Sequence, residues 1–302
     1  APGGKAAYPS SVLMAAGPAL ASKVKDIYLT TPFIDGEVND LTIAAAKVAG
    51  IKKIAKLGGA QAIAAFSFGT GSIPKVDKIV GPGNSYVAEA KRQLFGIVGI
   101  DSIAGPSEIV VLANEASLPE KIAWDLMAQA EHDEDASSIL ISTSNRVIEQ
   151  VKKVIKNELP NLARAEIIQS SLNNNGLILK IDSLDQSVNI INKLAPEHLH
   201  LAFDGNELDT NNLIAGIILE GSDSAVTLSD YVLGPSHILP TNTSSRFSSP
   251  LAVEDFMVSS TKVGIRSQAN KALYNKLIDT ASIIARAEGL TAHAISAEKR
   301  KN

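Results

Sequence analysis

The 302-residue chain contains no cysteine. This absence excludes disulfide bonds, thiolate nucleophiles and thiolate metal ligands, so any bound metal must be held by nitrogen and oxygen atoms. The chain also lacks an apolar run near the roughly 18 residues that a membrane span requires, and it does not open with the charged, apolar and small-residue regions of a signal peptide. We therefore expect a soluble, cytoplasmic protein with no membrane partner.

Clustered positive charge is missing as well. The formal net charge is -4, whereas a protein that binds nucleic acid regardless of sequence needs grouped Lys and Arg to neutralise phosphates. Nucleic acid is therefore not an expected partner, and small molecules are. The length is enough to bury a large core, and it predicts two domains at roughly 150 residues per domain.

The alternation of short β-rich runs with longer helical patterns is typical of parallel βαβ units. It predicts strands at 26–31, 53–57, 78–80, 108–112, 138–142, 177–181, 199–203 and 217–220, and helices at 40–49, 61–68, 117–130, 146–156 and 184–194. Ser117 and Glu120 have the spacing of a capping box for the third helix, with Pro119 in its first turn. The tail differs, with a β run at 256–265 and a long helix from about 267 to 287.

Two glycine turns follow predicted strands and deliver a polar residue to the next helix. These are Gly58-Gly59-Ala60-Gln61 and Gly81-Pro82-Gly83-Asn84. Free N–H groups at a helix N-terminus favour anions, so a nucleotide phosphate could bind there. The G-x-G-x-x-G fingerprint is absent, however, and a plain loop fits each turn equally well.

An acid and a base stand side by side at Glu197 and His198, directly after Pro196. Successive residues of a regular strand face opposite sides, so both side chains reach one cleft only if the strand begins irregularly. A structural role, with Glu197 in a surface ion pair and His198 half-buried, is equally compatible with the sequence. His200 is assigned a structural role.

Further polar residues are candidates for a metal site. Gln129 and His132 lie three apart near the end of a predicted helix and project from one face, although such pairs more often lie on a surface. Asp230 and His237 flank a loop, which is compatible with a metal but unspecific.

Glu288 and His293 would diverge on one continuous helix. A C-cap at Gly289 and a new N-cap at Thr291 would break that helix and could turn both side chains toward one pocket. A frayed terminal helix with exposed polar residues is the alternative.

Eight motifs, in their order along the chain, resemble the histidinol dehydrogenase family. They are Pro2-Gly3-Gly4-Lys5, Gly58-Gly59-Ala60-Gln61-Ala62-Ile63-Ala64, Val76-Asp77-Lys78-Ile79-Val80-Gly81-Pro82-Gly83-Asn84, Ala104-Gly105-Pro106-Ser107-Glu108, Gln129-Ala130-Glu131-His132, Pro196-Glu197-His198-Leu199, Gly234-Pro235-Ser236-His237 and Glu288-Gly289-Leu290-Thr291-Ala292-His293. The resemblance spans essentially the whole chain. We expect an N-terminal portion to be missing, because the first motif is a turn that normally joins two elements, and with it a tyrosine that the resemblance places at the NAD site.

The resemblance implies an α/β fold of two incomplete Rossmann-like parallel-sheet domains plus a helical C-terminal arm. Residues 1–106 would form the NAD-side domain, 107–250 the zinc and substrate domain, short of strands from the missing region, and 251–302 an arm exchanged in a homodimer. The implied reaction, in histidine biosynthesis, oxidises L-histidinol to L-histidine through bound L-histidinal with two NAD and one zinc ion per active site.

The resemblance also implies roles for the candidate residues. Gln129, His132 and Asp230 would bind zinc together with His293 of the partner subunit, and these ligands and His198 would also contact the substrate. His198 resembles the general base for the alcohol, and Glu197 the base that activates water. Further substrate contacts are implied for Ser107, His237 and Glu288, and NAD contacts for Gln61 and Asn84.

Three alternatives stay open. A related family of sulfopropanediol-type dehydrogenases shares the zinc and NAD architecture. A zinc hydrolase could use the same residues without NAD. Finally, the chain could be an inactive fragment or a regulatory paralogue.

Overall fold

The computed structural model describes residues 1–2, 8–33, 38–205, 207–266 and 269–301. These residues divide into a main unit, residues 1–257, and a C-terminal unit, residues 258–302. The predicted α/β class with parallel sheets and C-terminal helices is confirmed. Among the helices in the described ranges, none has the length and apolar character needed to cross a membrane.

The helices and strands follow one another in alternation. In chain order they are α1 (Pro9–Ala21), β1 (Tyr28–Thr31), α2 (Asp40–Val48), β2 (Lys53–Lys56), α3 (Gly59–Phe68), β3 (Lys78–Ile79), α4 (Ser85–Leu94), β4 (Gly99–Ile100), β5 (Glu108–Ala113), α5 (Pro119–Ala130), β6 (Ser137–Ser142), α6 (Asn145–Glu158), α7 (Ala165–Asn175), β7 (Gly176–Lys180), α8 (Leu184–Leu194), β8 (His198–Leu201), β9 (Ile217–Glu220), α9 (Val226–Tyr231), α10 (Lys271–Ala287) and α11 (Thr291–Glu298).

The first part of the main unit contains two small parallel sheets. Strand β1 pairs with β2, and β3 pairs with β4. A small apolar core of Val12, Leu29, Ala45 and Ala46 joins α1, β1 and α2. Polar caps fix the helix starts, since the Asn39 side chain accepts a hydrogen bond from the Leu41 amide at α2, as the Asn84 side chain does from the Val87 amide at α4.

The second part is built on a five-stranded sheet in the order β7-β6-β5-β8-β9, with all its pairs parallel. Central β5 is apolar on both faces, as expected for a parallel strand covered by helices on both sides. Ile109 and Val111 pack with α5 and α6, while Val110 and Leu112 pack toward α8. Counted in chain order within the sheet, the strands run 3-2-1-4-5, which is a doubly wound order whose direction reverses between β5 and β8.

Two sequence predictions about local structure are wrong. The Ser117 and Glu120 capping box does not form, because Leu118 is the N-cap of α5 and the Ser117 hydroxyl instead accepts from the Asn114 amide at 2.9 Å. The β run at 256–265 is not a strand. Residues 253–256 form a 3₁₀ turn, and none of the described residues pairs with the extended segment that follows.

The C-terminal unit is a pair of packed helices. Gly289 has a φ of 75° and breaks the chain between α10 and α11, while the Leu290 amide donates back to the Ala285 carbonyl at 2.7 Å. This is a helix end that glycine favours, because the left-handed conformation strains other residues. The predicted break is confirmed, although the C-cap of α10 is Glu288 rather than Gly289, and the N-cap of α11 is Leu290 rather than Thr291.

Candidate active site at the amino ends of two central strands

The acid and the base lie where β5 and β8 begin side by side, with Ile109 in register with His198. The peptide N–H of Glu108 donates to Glu197 Oε2 at 2.9 Å, and the Glu108 carbonyl accepts from His198 Nδ1 at 3.1 Å. One residue of β5 therefore holds both side chains through its main chain.

The chain enters β8 irregularly, as the sequence analysis required if both side chains were to share a site. Ala195 ends α8 in the left-handed conformation, Pro196 follows, and Glu197 stands just before the strand. Glu197 and His198 are 6 % and 3 % exposed, and Glu197 Oε2 lies 3.5 Å from His198 Nδ1. The surface ion pair considered for Glu197 is thus wrong, because its carboxylate is buried against Glu108 and His198.

The second ring nitrogen of His198 faces a carboxylate. Nε2 lies 3.5 Å from Asp230 Oδ1, which is an ion-pair distance, and it has no hydrogen-bond partner among the described residues. Burial alone would lower the pKa of His198, but the carboxylates of Glu197 and Asp230 outweigh burial and raise this pKa to about 10. A cation bound at one of these carboxylates would weaken this effect and lower the pKa of His198 again.

Asp230 comes from the last turn of α9, and His237 closes the loop that follows. His237 Nδ1 donates to the Asp230 carbonyl at 2.9 Å, and His237 Nε2 lies 3.3 Å from the hydroxyl of buried Ser11 on α1. The structure therefore holds the His237 ring against the main chain of Asp230. Sequence patterns gave no reason to expect that α1 would reach this loop.

Just past the end of α5, His132 approaches the same site, and Gln129 lies three residues before it in the last turn of the helix. Burial lowers the pKa of His132, and the charges of Asp230, Glu197 and His198 also act on this ring. Gln129 is 1 % exposed, yet neither its amide oxygen nor its amide nitrogen has a hydrogen-bond partner among the described residues. Leaving a buried polar group without a partner costs about 1–3 kcal/mol, so this amide is placed to bind something that the described residues do not provide.

The donor set fits a metal ion only in part. Across the described ranges of this chain, no group of three or more His, Cys, Asp or Glu side chains is arranged to hold a metal ion. The available donors are the imidazole of His132, the carboxylate of Asp230 and the unpartnered amide of Gln129. These N and O atoms suit zinc, which usually takes four ligands, so a further ligand has to come from elsewhere.

Glu108 is a site residue that the sequence analysis missed. Burial raises the pKa of its carboxyl group, although a hydrogen bond from the Asn242 amide to Oε1 at 3.0 Å opposes that shift. The neighbouring Gly105 amide donates to the Thr241 hydroxyl at 2.6 Å. The loop around Thr241 therefore fixes the segment that carries Ser107, a predicted substrate contact, at the mouth of β5.

The two predicted NAD residues lie on exposed helix starts. Gln61 is in the first turn of α3, and the Asn84 side chain caps α4. Neither makes a hydrogen bond or an ion pair with Glu197 or His198 within the described part of the chain. A Cβ on Gly83 would lie 2.5 Å from Val87 Cγ1, so this turn needs glycine for the close approach of the backbone.

A buried ion pair supports the second turn from beneath. Lys91 Nζ lies 2.5 Å from Asp101 Oδ1 and donates to the Gly81 carbonyl at 2.7 Å, while Asp101 Oδ2 accepts from the Gly81 amide at 2.7 Å. Both peptide groups of Gly81 are thus fixed by one pair of charges. The sequence did not point to either Lys91 or Asp101.

Glu288 and His293, the remaining candidates, belong to the C-terminal unit. Glu288 is the C-cap of α10, His293 lies in the first turn of α11, and both are exposed within this chain. Their exposure leaves them free to contact another molecule.

Comparison with known proteins identifies relatives along the full chain. A family model described as histidinol dehydrogenase matches residues 1–301. The histidinol dehydrogenase of Pseudomonas fluorescens is 48 % identical over 300 residues, covering 99 % of this chain and 67 % of the relative. That of Pseudomonas syringae pv. tomato is 47 % identical, covering 99 % and 66 %.

A solved structure agrees with these sequence matches. The crystal structure of histidinol dehydrogenase from Elizabethkingia anophelis superposes with a TM-score of 0.92 at 37 % identity, covering 99 % of this chain and 69 % of that protein. The chain spans about two thirds of the length of the curated relatives that it matches. The resemblance drawn from the eight motifs is confirmed.

Proposed function

This chain belongs to the histidinol dehydrogenase family, and from that premise we propose that it oxidises L-histidinol to L-histidine through bound L-histidinal, as part of histidine biosynthesis. The proposed cofactors are NAD and one zinc ion per active site. The observation that carries the proposal is the buried Glu197 and His198 pair, held by the main chain of Glu108 and facing Asp230 at 3.5 Å.

His198 is the proposed general base for the alcohol. Its Nδ1–H donates to the Glu108 carbonyl, which leaves the Nε2 lone pair facing the site and fixes the ring plane. Nε2 takes the hydroxyl proton while the carbon loses its hydrogen as hydride. NAD bound beside this carbon would supply the hydride acceptor for each of the two oxidations.

Glu197 is the proposed base for the second half of the reaction. Its carboxylate takes a proton from water as the water oxygen bonds to the aldehyde carbon and the C=O π bond opens. The former carbonyl oxygen takes the proton that His198 gained in the first step, which gives the hydrate that the second oxidation consumes. The hydrogen bond from the Glu108 amide fixes the orientation of this carboxylate beside His198. Because both bases are buried, the aldehyde stays shielded from bulk water between the two steps.

Gln129, His132 and Asp230 are the proposed zinc ligands, together with His293 of the partner subunit in a homodimer. A bound zinc ion would supply a fixed positive charge that holds the amine and imidazole nitrogens of histidinol. The unpartnered amide of Gln129 and the exposure of His293 support this assignment.

The remaining site residues are proposed to contact small molecules. Ser107, His237 and Glu288 would bind substrate, as would His198 and the zinc ligands, while Gln61 and Asn84 would bind NAD. The domain boundaries at 1–106, 107–250 and 251–302 remain part of the proposal. They are consistent with β5, the first strand of the five-stranded sheet, starting at Glu108.

Paired substitutions in the full-length protein test the division of labour. His198→Asn should slow NADH formation from histidinol by roughly 10²–10⁴-fold, the usual contribution of a positioned general base. Glu197→Gln should retain the first oxidation but fail to convert added histidinal to histidine. Product analysis of both substrates separates the two steps.

A matched control is Glu207→Gln, which changes an exposed carboxylate that accepts from Asn114 beyond the carboxyl end of β5. It should leave both steps unchanged. The proposal fails if the wild-type protein neither contains zinc nor releases NADH with histidinol.

A further inference from the structure

His200 is a buried histidine that the proposed reaction does not use. It is 1 % exposed and lies two residues beyond His198 on β8, so the two imidazoles project from the same face of the strand. That face packs toward α5, because Ala202, the next residue on it, belongs to the apolar core with Ile122 and Leu126.

Both ring nitrogens of His200 are engaged. Nδ1 lies 2.8 Å from Asp125 Oδ2, and Nε2 lies 3.0 Å from the Gly221 carbonyl oxygen. The Gly221 carbonyl oxygen can only accept a hydrogen bond, so Nε2 donates there, and Nδ1 faces the Asp125 carboxyl group. The imidazole is therefore held in one orientation at both ends.

The two partners belong to different elements, each of which leads to a site residue. Asp125 lies one helical turn before Gln129 on α5. Gly221 follows β9 directly and precedes α9, whose last turn carries Asp230. His200 itself shares β8 with His198. One side chain thus joins the three segments that bring Gln129, His198 and Asp230 to the site.

We propose that the Asp125 and His200 pair is a positioning device that sets α5, β8 and the β9–α9 connection in the relative placement that the metal ligands and the general base require. The inference rests on the proposed function. His200 acts through other residues rather than on the substrate. Partners of this kind outside the ligand shell commonly change metal affinity or activity by 10–100-fold when replaced.

Two amide substitutions in the full-length protein separate the contact of His200 with Asp125 from its contact with Gly221. In His200→Asn the amide nitrogen falls near the position of Nδ1 and can still donate to Asp125, but it cannot reach Gly221. In His200→Gln the amide nitrogen falls near Nε2 and can still donate to Gly221, while Asp125 loses its partner.

The matched control is Val151→Ala on α6. Val151 is buried in the same apolar core, but α6 carries no proposed site residue. This control lowers stability and leaves the contacts of His200 with Asp125 and Gly221 intact.

Three measurements are needed: zinc affinity by competition with a chromophoric chelator, kcat with histidinol, and the imidazole NMR signals of His132 and His198 in zinc-free protein. Both His200 variants should lose roughly 10–100-fold in zinc affinity and in kcat, and both should shift the two imidazole signals. Val151→Ala should change none of these readouts, although its unfolding temperature falls.

The proposal is overturned if the His200 variants keep wild-type affinity and imidazole signals, or if Val151→Ala loses as much as they do at equal stability. If the wild-type protein does not oxidise histidinol, the proposed function fails. The zinc affinities of the His200 variants relative to the wild-type protein then still test the positioning device. If the wild-type protein binds no zinc either, the imidazole signals alone decide.

Discussion

The main unit has two parts, one with strands β1–β4 and one with strands β5–β9. Both contain buried polar residues, but the two parts differ in whether those residues have hydrogen-bond partners. In the first part the buried charges of Lys91 and Asp101 bind each other and both peptide groups of Gly81. In the second part Gln129 and the Nε2 atom of His198 are buried without a hydrogen-bond partner among the described residues. The first arrangement stabilises a turn, whereas the second leaves bonding capacity for a ligand.

This difference predicts that substitutions in the two parts change the free energy of unfolding in opposite directions. Removing a buried polar group that has its partners should destabilise the fold. Removing one that lacks partners should stabilise the fold and abolish binding. Three substitutions, taken from the largest expected effect to the smallest, test the contrast.

Lys91→Met should lower the free energy of unfolding by about 3–5 kcal/mol, because it leaves the Asp101 carboxylate buried without a counterion. Urea unfolding measures this change. The double variant Lys91→Met with Asp101→Leu should recover most of the stability, since neither charge is then buried. The double variant should nevertheless bind NAD more weakly than the wild-type protein in a fluorescence titration, because Gly81 has lost both of its partners. Wild-type NAD affinity in the double variant would show that the turn does not need this support.

Gln129→Met should act in the opposite direction. The substitution keeps a similar volume while removing an amide with no hydrogen-bond partner, so we expect the zinc-free protein to gain about 1–3 kcal/mol of stability. Zinc affinity should fall sharply in a chelator competition. A loss of stability in zinc-free protein would mean that the amide has a partner after all, and it would remove the contrast between the two parts.

Glu108→Gln should give the smallest change in the free energy of unfolding, and this change should depend on pH. Burial raises the pKa of Glu108, so the folded state holds this proton more tightly than the unfolded state does. As the pH rises from the unfolded pKa through the folded one, the wild-type protein loses stability that the glutamine variant does not lose. The stability difference between the two proteins should therefore shift in favour of the variant on going from acid to neutral pH. Urea unfolding at a series of pH values measures it, and a difference that stays constant with pH would contradict the assignment.

Much of the fold was predictable, because apolar periodicity marks elements that face a common core. The predicted bounds of α8 and β9 agree with the structure, and those of β5 and β6 differ by one residue. Helix α1 was missed because Gly17 and Pro18 lie within it, and this pair normally indicates a break.

The tail shows a different limit of sequence patterns. Val258, Val263 and Ile265 are β-branched, as residues of strands commonly are, yet they are 98 %, 78 % and 64 % exposed. A strand forms only when a second strand pairs with it, and periodicity within one segment does not supply that partner. Similarly, the spacing of Ser117 and Glu120 matched a capping box, but the hydroxyl bonds to the turn at Asn114 instead.

The sequence indicated which side chains to consider at the candidate site, but it did not indicate which main-chain groups hold them. Glu197 and His198 were recognisable as an acid beside a base. Their common anchor is the peptide N–H and carbonyl of Glu108, groups that every residue except proline carries. Only the pairing of β5 with β8 determines which peptide faces the site, and that pairing joins positions about 90 residues apart.

The site occupies the amino ends of β5 and β8, so the carboxyl edge of the same sheet is separated from the chemistry by the length of a strand. A six-residue strand spans roughly 17 Å at about 3.3 Å per residue. Exposed Ser183, beyond the carboxyl end of β7, lies at that opposite edge, and its hydroxyl does not cap α8. Because this chain has no cysteine, Ser183→Cys would create a unique attachment point for a dye or a surface tether, on the side of the sheet away from the proposed active site.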